Sequence, residues 1–330
     1  MKSLPIVTLA VSCFLTGSYA WSVLLVAQET PPPAEKDEAQ PAATGNSDVP
    51  QGPRSDDGRT PRAERAELKR NTKSAATAVV TLGEARRRLT AYRTVKAAIK
   101  ETVRLTPREF QMNGTYLQGT DLKLRLEYKL QVGGTKAALT EVCDGQILWT
   151  WHRIGAEQRV TRRNVRQILS VRESAGRTPR NTLIAELGLG GLPGLLASIE
   201  RNVALAEQWE TTYGDRTLVV VEGTWKDAFR QRVAPNLPTD QPLPQWVPDR
   251  IRIYFEDDSL FPRRIQYLKK NALQAHQTMV ALDFETVELN SEVDPAAFNF
   301  VPPEKVVPED VTQAYIQEFT KDKKPADDKK

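Results

Sequence analysis

Cysteine and histidine are almost missing: two of each in 330 residues (Cys13, Cys143, His152, His276). So few cannot assemble a Cys/His zinc site, a di-histidine metal centre or a disulfide framework. Charge of one sign is also lacking. Lys+Arg outnumber Asp+Glu by only 46 to 42, too thin and too interspersed an excess for a nucleic-acid footprint. His152 has no nearby Asp or Ser in a triad arrangement, and His276 falls in a polar turn. Cys143 precedes an Asp-Gly turn with no histidine close by, and reads as a small buried residue rather than a nucleophile. The glycine-rich run 188–194 lacks the Lys-Ser/Thr of a phosphate loop. Most catalytic templates are thereby starved, leaving only carboxylate-based hydrolysis as a minor reading, so a non-enzyme without metal or cofactor is expected.

What is abundant is proline, 22 in all. Residues 28–67 contain seven of these, mixed charges, and no Leu, Ile, Met, Phe, Trp or Tyr. Such a stretch buries too little apolar surface to offset its ordering entropy, so residues 28–74 are expected to be a disordered tether. Before it, Lys2 leads an uncharged run from Leu4 to Ala27, the pattern of an export signal. At 24 residues the run also suits a spanning anchor, since a membrane helix needs about 20. Removal of residues 1–27 as a signal peptide, cut at Ala20 or Ala27, and retention as a membrane anchor both fit. Either way the chain is expected to be exported, periplasmic or periplasm-facing. Residues 320–330, with five lysines and three aspartates, read as a charged, solvated tail.

The remaining 75–319 is one domain of ordinary size. Thr81-Leu82-Gly83-Glu84 has the form of a helix-starting capping box. After it Leu82, Ala85, Leu89, Tyr92, Val95 and Ile99 recur at helical spacing. Residues 122–131 then alternate strictly, with Leu122, Leu124, Leu126, Tyr128 and Leu130 on one face. Strands 136–142 and 147–154 follow through Gly133-Gly134 and Asp144-Gly145, with Ile147, Trp149 and Trp151 sharing a face. More strands are predicted at 218–225, 250–255, 264–268, 279–289 and 298–301. Between the two groups lie a short helix around Val165, Ile168 and Leu169, and a longer one from Pro193 carrying Leu192, Leu195, Leu196, Ile199 and Val203. A large antiparallel sheet with helices on a single face, an α+β fold, results.

The stretch from Asn113, NGTYLQGTDLKLRLEYKLQVGGTKAALTEVCDGQILWTWH, resembles the core strands of LolA-type lipoprotein-localisation carriers. The segment 293–303, VDPAAFNFVPP, is similar to that family's closing strand. The Pro-rich tether and LGLGGLPGLL at 187–196 are similar to planctomycete paralogues sharing the fold. The resemblance implies a large curved antiparallel sheet, an incomplete β-barrel, with helices packed in its concave face as a lid. It also implies an acyl chain held between sheet and lid. Where the carriers have a lid-fastening arginine turn, this chain has Gln118-Gly119-Thr120-Asp121, which sets lipoprotein transfer itself apart from the fold.

The expected ligand face combines Leu124, Leu126, Tyr128, Trp149, Trp151, Ile253 and Phe255 of the sheet with Leu192, Leu195, Leu196 and Ile199 of the lid. The expected partner is a lipid or acylated lipoprotein, with envelope proteins as further partners. The alternative is an anchored envelope sensor or interaction scaffold with a filled core and no small-molecule ligand.

Overall fold

A computed structural model describes residues 73–105, 108–132, 134–174, 191–238, 241–271 and 273–321. The expected leader, nearly all of the tether, residues 188–190 of the glycine-rich run and most of the tail lie outside them.

The first helix, α1 (Ala75–Ala91), buries Ala78, Leu82, Ala85 and Leu89, one residue per helical turn on a single stripe. Ser74 stands at its start in extended conformation. Thr81 is therefore six residues inside the helix and caps nothing; its hydroxyl donates to Gln208 Oε1 at 2.7 Å. The stripe stops at Leu89. Val95 and Ile99 belong to β1 (Thr94–Leu105), whose neighbours β2 (Arg108–Gly119) and β11 (His276–Leu289) supply ladder partners on both sides.

The chain continues through β3 (Lys123–Val132), β4 (Thr135–Asp144), β5 (Ile147–Ile154) and β6 (Glu157–Asn164). Next come α2 (Val165–Ser174), α3 (Gly191–Asn202), β7 (Val203–Tyr213), β8 (Arg216–Trp225) and α4 (Asp227–Val233). Strands β9 (Arg250–Glu256), β10 (Pro262–Lys270) and β11 lead to a short 3-10 turn (Pro295–Phe298), β12 (Glu309–Asp310) and α5 (Thr312–Lys321). The strands form one curved, unclosed sheet ordered β12-β6-β5-β4-β3-β2-β1-β11-β10-β9-β8-β7. Neighbours are antiparallel except for β12 beside β6. This is the α+β incomplete barrel with helices that the sequence resemblance implied.

Two expected elements change. The lid helix ends at Asn202, so Val203 and Leu205 lie on β7, where β-branched Val203 pairs with Trp225. Residues 298–301 form no strand; Phe298 ends the 3-10 turn, whose N-cap Asp294 accepts the Ala296 N–H at 2.8 Å.

Register divides the sheet into two faces. Leu124, Leu126, Tyr128 and Leu130 stand opposite Gln118, Tyr116, Gly114 and Met112 of β2, and this row continues through Val95, Ala97, Ile99 and Glu101 of β1. It passes Leu282 on β11 to Ile265 and Tyr267 on β10, Ile251, Ile253 and Phe255 on β9, and Val219 and Val221 on β8. We call it the inner face, because helices lie on it. Thr81 of α1 meets Gln208, the first residue of α3 to carry a side chain, Leu192, meets Tyr116, and Tyr315 of α5 meets Arg163. Among the described residues no helix is long and apolar enough to cross a membrane.

Candidate functional site

Period-2 alternation puts the apolar row of β3 inside: Leu124, Leu126 and Tyr128 are all buried. Ile253 and Phe255 of β9 occupy the same face and are buried too. In the strand order β3 and β9 are five spacings apart, about 24 Å at ~4.8 Å each along the sheet. The expected wall residues from these strands therefore mark two ends of one broad apolar surface.

Trp149 and Trp151 do not join it. Trp149 pairs with Val142, which pairs with Arg125, and Arg125 alternates with the inward Leu124 and Leu126. Both tryptophans thus point to the outer face, where their rings pack on Phe300 at 5.6 and 6.4 Å between centroids. The chain after the 3-10 turn folds back over this face, and Arg125 donates to the Ala297 carbonyl at 3.0 Å. The inward residue of this part of β5 is Leu148. The expectation that Trp149 and Trp151 face the ligand together with Leu124 and Leu126 is corrected accordingly.

Helix α3 supplies the covering layer. Leu192, Leu195, Leu196 and Ile199 are at most 5% exposed, at the i, i+3, i+4, i+7 spacing of one helical face. Its first turn hangs on the sheet: the Leu192 N–H donates to the Tyr116 hydroxyl at 2.9 Å, and that hydroxyl donates to Gln118 Oε1. Gly191 is needed here. Its φ is +53°, and a Cβ would stand 2.2 Å from the Tyr116 hydroxyl oxygen. Burial pushes the Tyr116 hydroxyl pKa up, with the Leu192 N–H pulling the other way, so this phenol stays protonated.

Two inner-face carboxyls that sequence reasoning did not single out are buried, Glu101 and Glu141. Glu101 of β1 is 1% exposed, and burial pushes its carboxyl up to about 8, moderated by the Tyr128 hydroxyl. Glu141 of β4 is buried near Arg163; burial raises its pKa, while Arg163 and the Thr150 hydroxyl oppose the rise. The Arg163 guanidinium also donates to the Tyr315 hydroxyl and lies 4.7 Å from that ring's centroid, tying α5 to β6. One signal was present: Val95, Ala97, Ile99, Glu101, Val103 is an alternating row with a carboxylate in an apolar slot. Cys143 is a buried thiol, raised to about 11 chiefly by burial, which makes it unreactive at neutral pH.

The outer face is chemically different. Lys100, Tyr213, Arg216, Tyr254, Arg264 and Asp283 line a polar cleft of about 600 Å³ there, with Arg264 bonded to Asp283. Farther along, Glu222 is gripped by Arg250 at 2.5 Å and Arg252 at 2.6 Å. Burial raises the Glu222 pKa, but the two arginines outweigh it and hold the carboxyl below its usual range. Among the described residues no group of three or more His, Cys, Asp and Glu could hold a metal ion.

No protein-family model and no curated protein matches this sequence. Solved structures do match. MucB bound to MucA from Pseudomonas aeruginosa is 10% identical over 69% of this chain and 61% of that one, with a TM-score of 0.33. This chain thus spans about three fifths of the length of MucB. The lipoprotein LppX of Mycobacterium tuberculosis is 10% identical over 66% of this chain and 98% of its own, at 0.36. A LolA superfamily protein from Nitrosomonas europaea is 10% identical over 69% and 98%, at 0.28. At these values the likenesses carry no functional argument, and the functional reading rests on the chain's own geometry.

Proposed function

We propose that this chain is an exported, non-enzymatic binding protein of the cell envelope. Its 75–319 domain takes an apolar ligand, a lipid or the acyl chain of a lipoprotein, between the inner face of the sheet and α3. The observation that supports it is the pairing of two apolar surfaces across an unclosed sheet, with the first turn of α3 hung on the single hydroxyl of Tyr116. That bond, Leu192 N–H to the Tyr116 hydroxyl, is worth roughly 0.5–1.5 kcal/mol. Leu124, Leu126, Tyr128, Ile253 and Phe255 supply the sheet side, and Leu192, Leu195, Leu196 and Ile199 the lid side. The leader and tether expected at 1–74 would place this domain in the periplasm, free or anchored beside the membrane that supplies the ligand.

Near-complete burial of these same inner-face residues favours a second reading, a filled-core scaffold for contacts with envelope proteins. Native mass spectrometry of protein purified from membranes without delipidation, followed by solvent extraction, separates the two. Co-purifying lipid in stoichiometric amount is expected. Protein that carries none, and that also fails to take up a fluorescent fatty acid, overturns the binding role in favour of the scaffold.

A further inference from the structure

The polar cleft of about 600 Å³ on the outer face has a floor laid across four strands. Register puts Lys100 of β1 opposite Asp283 of β11, Asp283 opposite Arg264 of β10, and Arg264 opposite Tyr254 of β9. Neighbouring strands are ~4.8 Å apart, so the Lys100 and Arg264 backbones stand about 10 Å apart with Asp283 between them. Tyr213 and Arg216, a register pair at the tip of the β7–β8 hairpin, add to the lining.

A break in the register of β10 concentrates charge here. Strict alternation would turn Arg263 and Arg264 to opposite faces, but the ladder to β9 shifts between Pro262 and Arg264. Such a bulge re-aims a side chain, and both arginines line the cleft. Glu256 holds Arg263 at 2.6 Å and Arg216 at 2.9 Å. Other donors stay unmet. Lys100 is half-buried, yet its ammonium makes no hydrogen bond or ion pair among the described residues. Arg264 gives only its Nε–H to Asp283, which leaves its other guanidinium N–H groups open. Burial works against the Arg264 charge, and Asp283, Tyr254 and Tyr213 outweigh it, so the Tyr213 hydroxyl lies within electrostatic reach of the guanidinium. That hydroxyl, on a residue 69% exposed, is bonded to nothing among the described residues.

The half-buried charges are unequal. Lys100, Arg263 and Arg264 face Asp283 and Glu256, so one positive charge, that of Lys100, is left over. The other charged residues of the lining, Arg216, Asp215 and Glu285, are exposed, where water weakens their fields.

We propose that this cleft binds a phosphoryl group, carried by a soluble phosphate ester or by a lipid headgroup, through Lys100, Arg264 and Tyr213. The site is separate from the apolar inner face and does not rest on the binding role above. A neutral ligand would leave the Lys100 charge uncompensated. A carboxylate offers two oxygens in one plane, whereas a tetrahedral phosphoryl group offers oxygens to donors on β1, β10 and the β7–β8 hairpin together. Charge-assisted hydrogen bonds of this kind are roughly twice as strong as neutral ones.

The test is calorimetric titration of the full chain with glycerol 3-phosphate, glycerol and acetate, beside co-sedimentation with phosphatidylcholine vesicles with and without phosphatidic acid. Wild type is expected to bind glycerol 3-phosphate about tenfold more tightly than acetate, and glycerol not at all. Lys100→Met removes a cation that holds nothing else in the fold and is expected to weaken phosphate binding about tenfold. Tyr213→Phe should weaken it less, and Lys136→Met, which removes an exposed lysine of β4 outside the cleft, should leave it unchanged. Binding of the soluble ester that Lys100→Met loses upholds the site with a free phosphate ester as its source. Capture only by vesicles containing phosphatidic acid, again lost in Lys100→Met, upholds it with a headgroup as the source. Acetate bound as tightly as glycerol 3-phosphate, equal losses in Lys100→Met and Lys136→Met, affinity unchanged in Lys100→Met, or binding of neither phosphate source overturns it.

Discussion

A carboxyl that keeps its proton in the fold makes stability depend on pH, and Glu101 allows the size of the effect to be worked out. Its pKa moves from 4.5 to about 8, chiefly through burial. Between those values the folded protein binds one proton more than the unfolded chain. Stability is therefore fully present below pH 4.5 and is lost as pH rises toward 8, by about 1.4 kcal/mol per pH unit. Between pH 6.5 and pH 8 the loss is roughly 1.5 kcal/mol, the slope flattening as the carboxyl ionises. For a domain of this size that is a fall of about 3–6 °C in the unfolding midpoint. Glu141, also raised by burial, adds to the decline, whereas His152 and His276, both lowered mainly by burial, oppose it near pH 6.5. A comparison of wild type with Glu101→Gln cancels these shared contributions. Thermal unfolding in matched buffers from pH 6.5 to 8 is expected to show the variant losing less stability than wild type by about this amount. Equal slopes for the two proteins would refute the assignment of a buried, protonated carboxyl to Glu101.

Leu196→Ala removes a fully buried side chain from α3 and is expected to cost about 2–5 kcal/mol, read by denaturant unfolding; uptake of a fluorescent fatty acid should fall with it. Trp149→Ala lowers the unfolding midpoint by loosening Phe300 but leaves fatty-acid uptake unchanged, because that ring lies on the outer face; lost uptake in a stable variant would contradict the register. Gly114→Ala forces a Cβ to within 2.0 Å of the Glu127 carbonyl, so the variant should be poorly soluble or melt far below wild type. Glu222→Gln unbalances two arginines around a side chain only 6% exposed, with an expected loss of about 3–5 kcal/mol. The wild-type contribution of Glu222 is present above pH 4.5 and lost as pH falls through its lowered pKa, so the two proteins should converge in stability in acid.

The amino-acid sequence by itself determined the strands whose two faces differ sharply. LKLRLEYKLQ can put its leucines and tyrosine on one side only as a strand, and β3 forms one residue from the predicted position; β5 forms over the predicted residues 147–154. Local order extends to the short helix after Asn164 and to the i, i+3, i+4, i+7 row of α3. Alternation, however, states that a strand has two faces without saying which is covered. On β5 Leu148 and the tryptophans Trp149 and Trp151 are all apolar, and the choice fell to pairing: the ladder from Leu124 through Cys143 to Leu148 turns the tryptophans outward, where Phe300 meets them. The same limit hid β1, because Leu89, Tyr92, Val95 and Ile99 fit a helical spacing as well as part of a strand. Only β2 and β11, distant in sequence or not yet formed, give 94–105 the ladder partners that favour a strand. Glu101 shows the physical reason most plainly. A lone carboxylate in a sequence reads as solvated, and it becomes a buried acid only when strands from both ends of the chain close around it and remove the water that would have kept it charged.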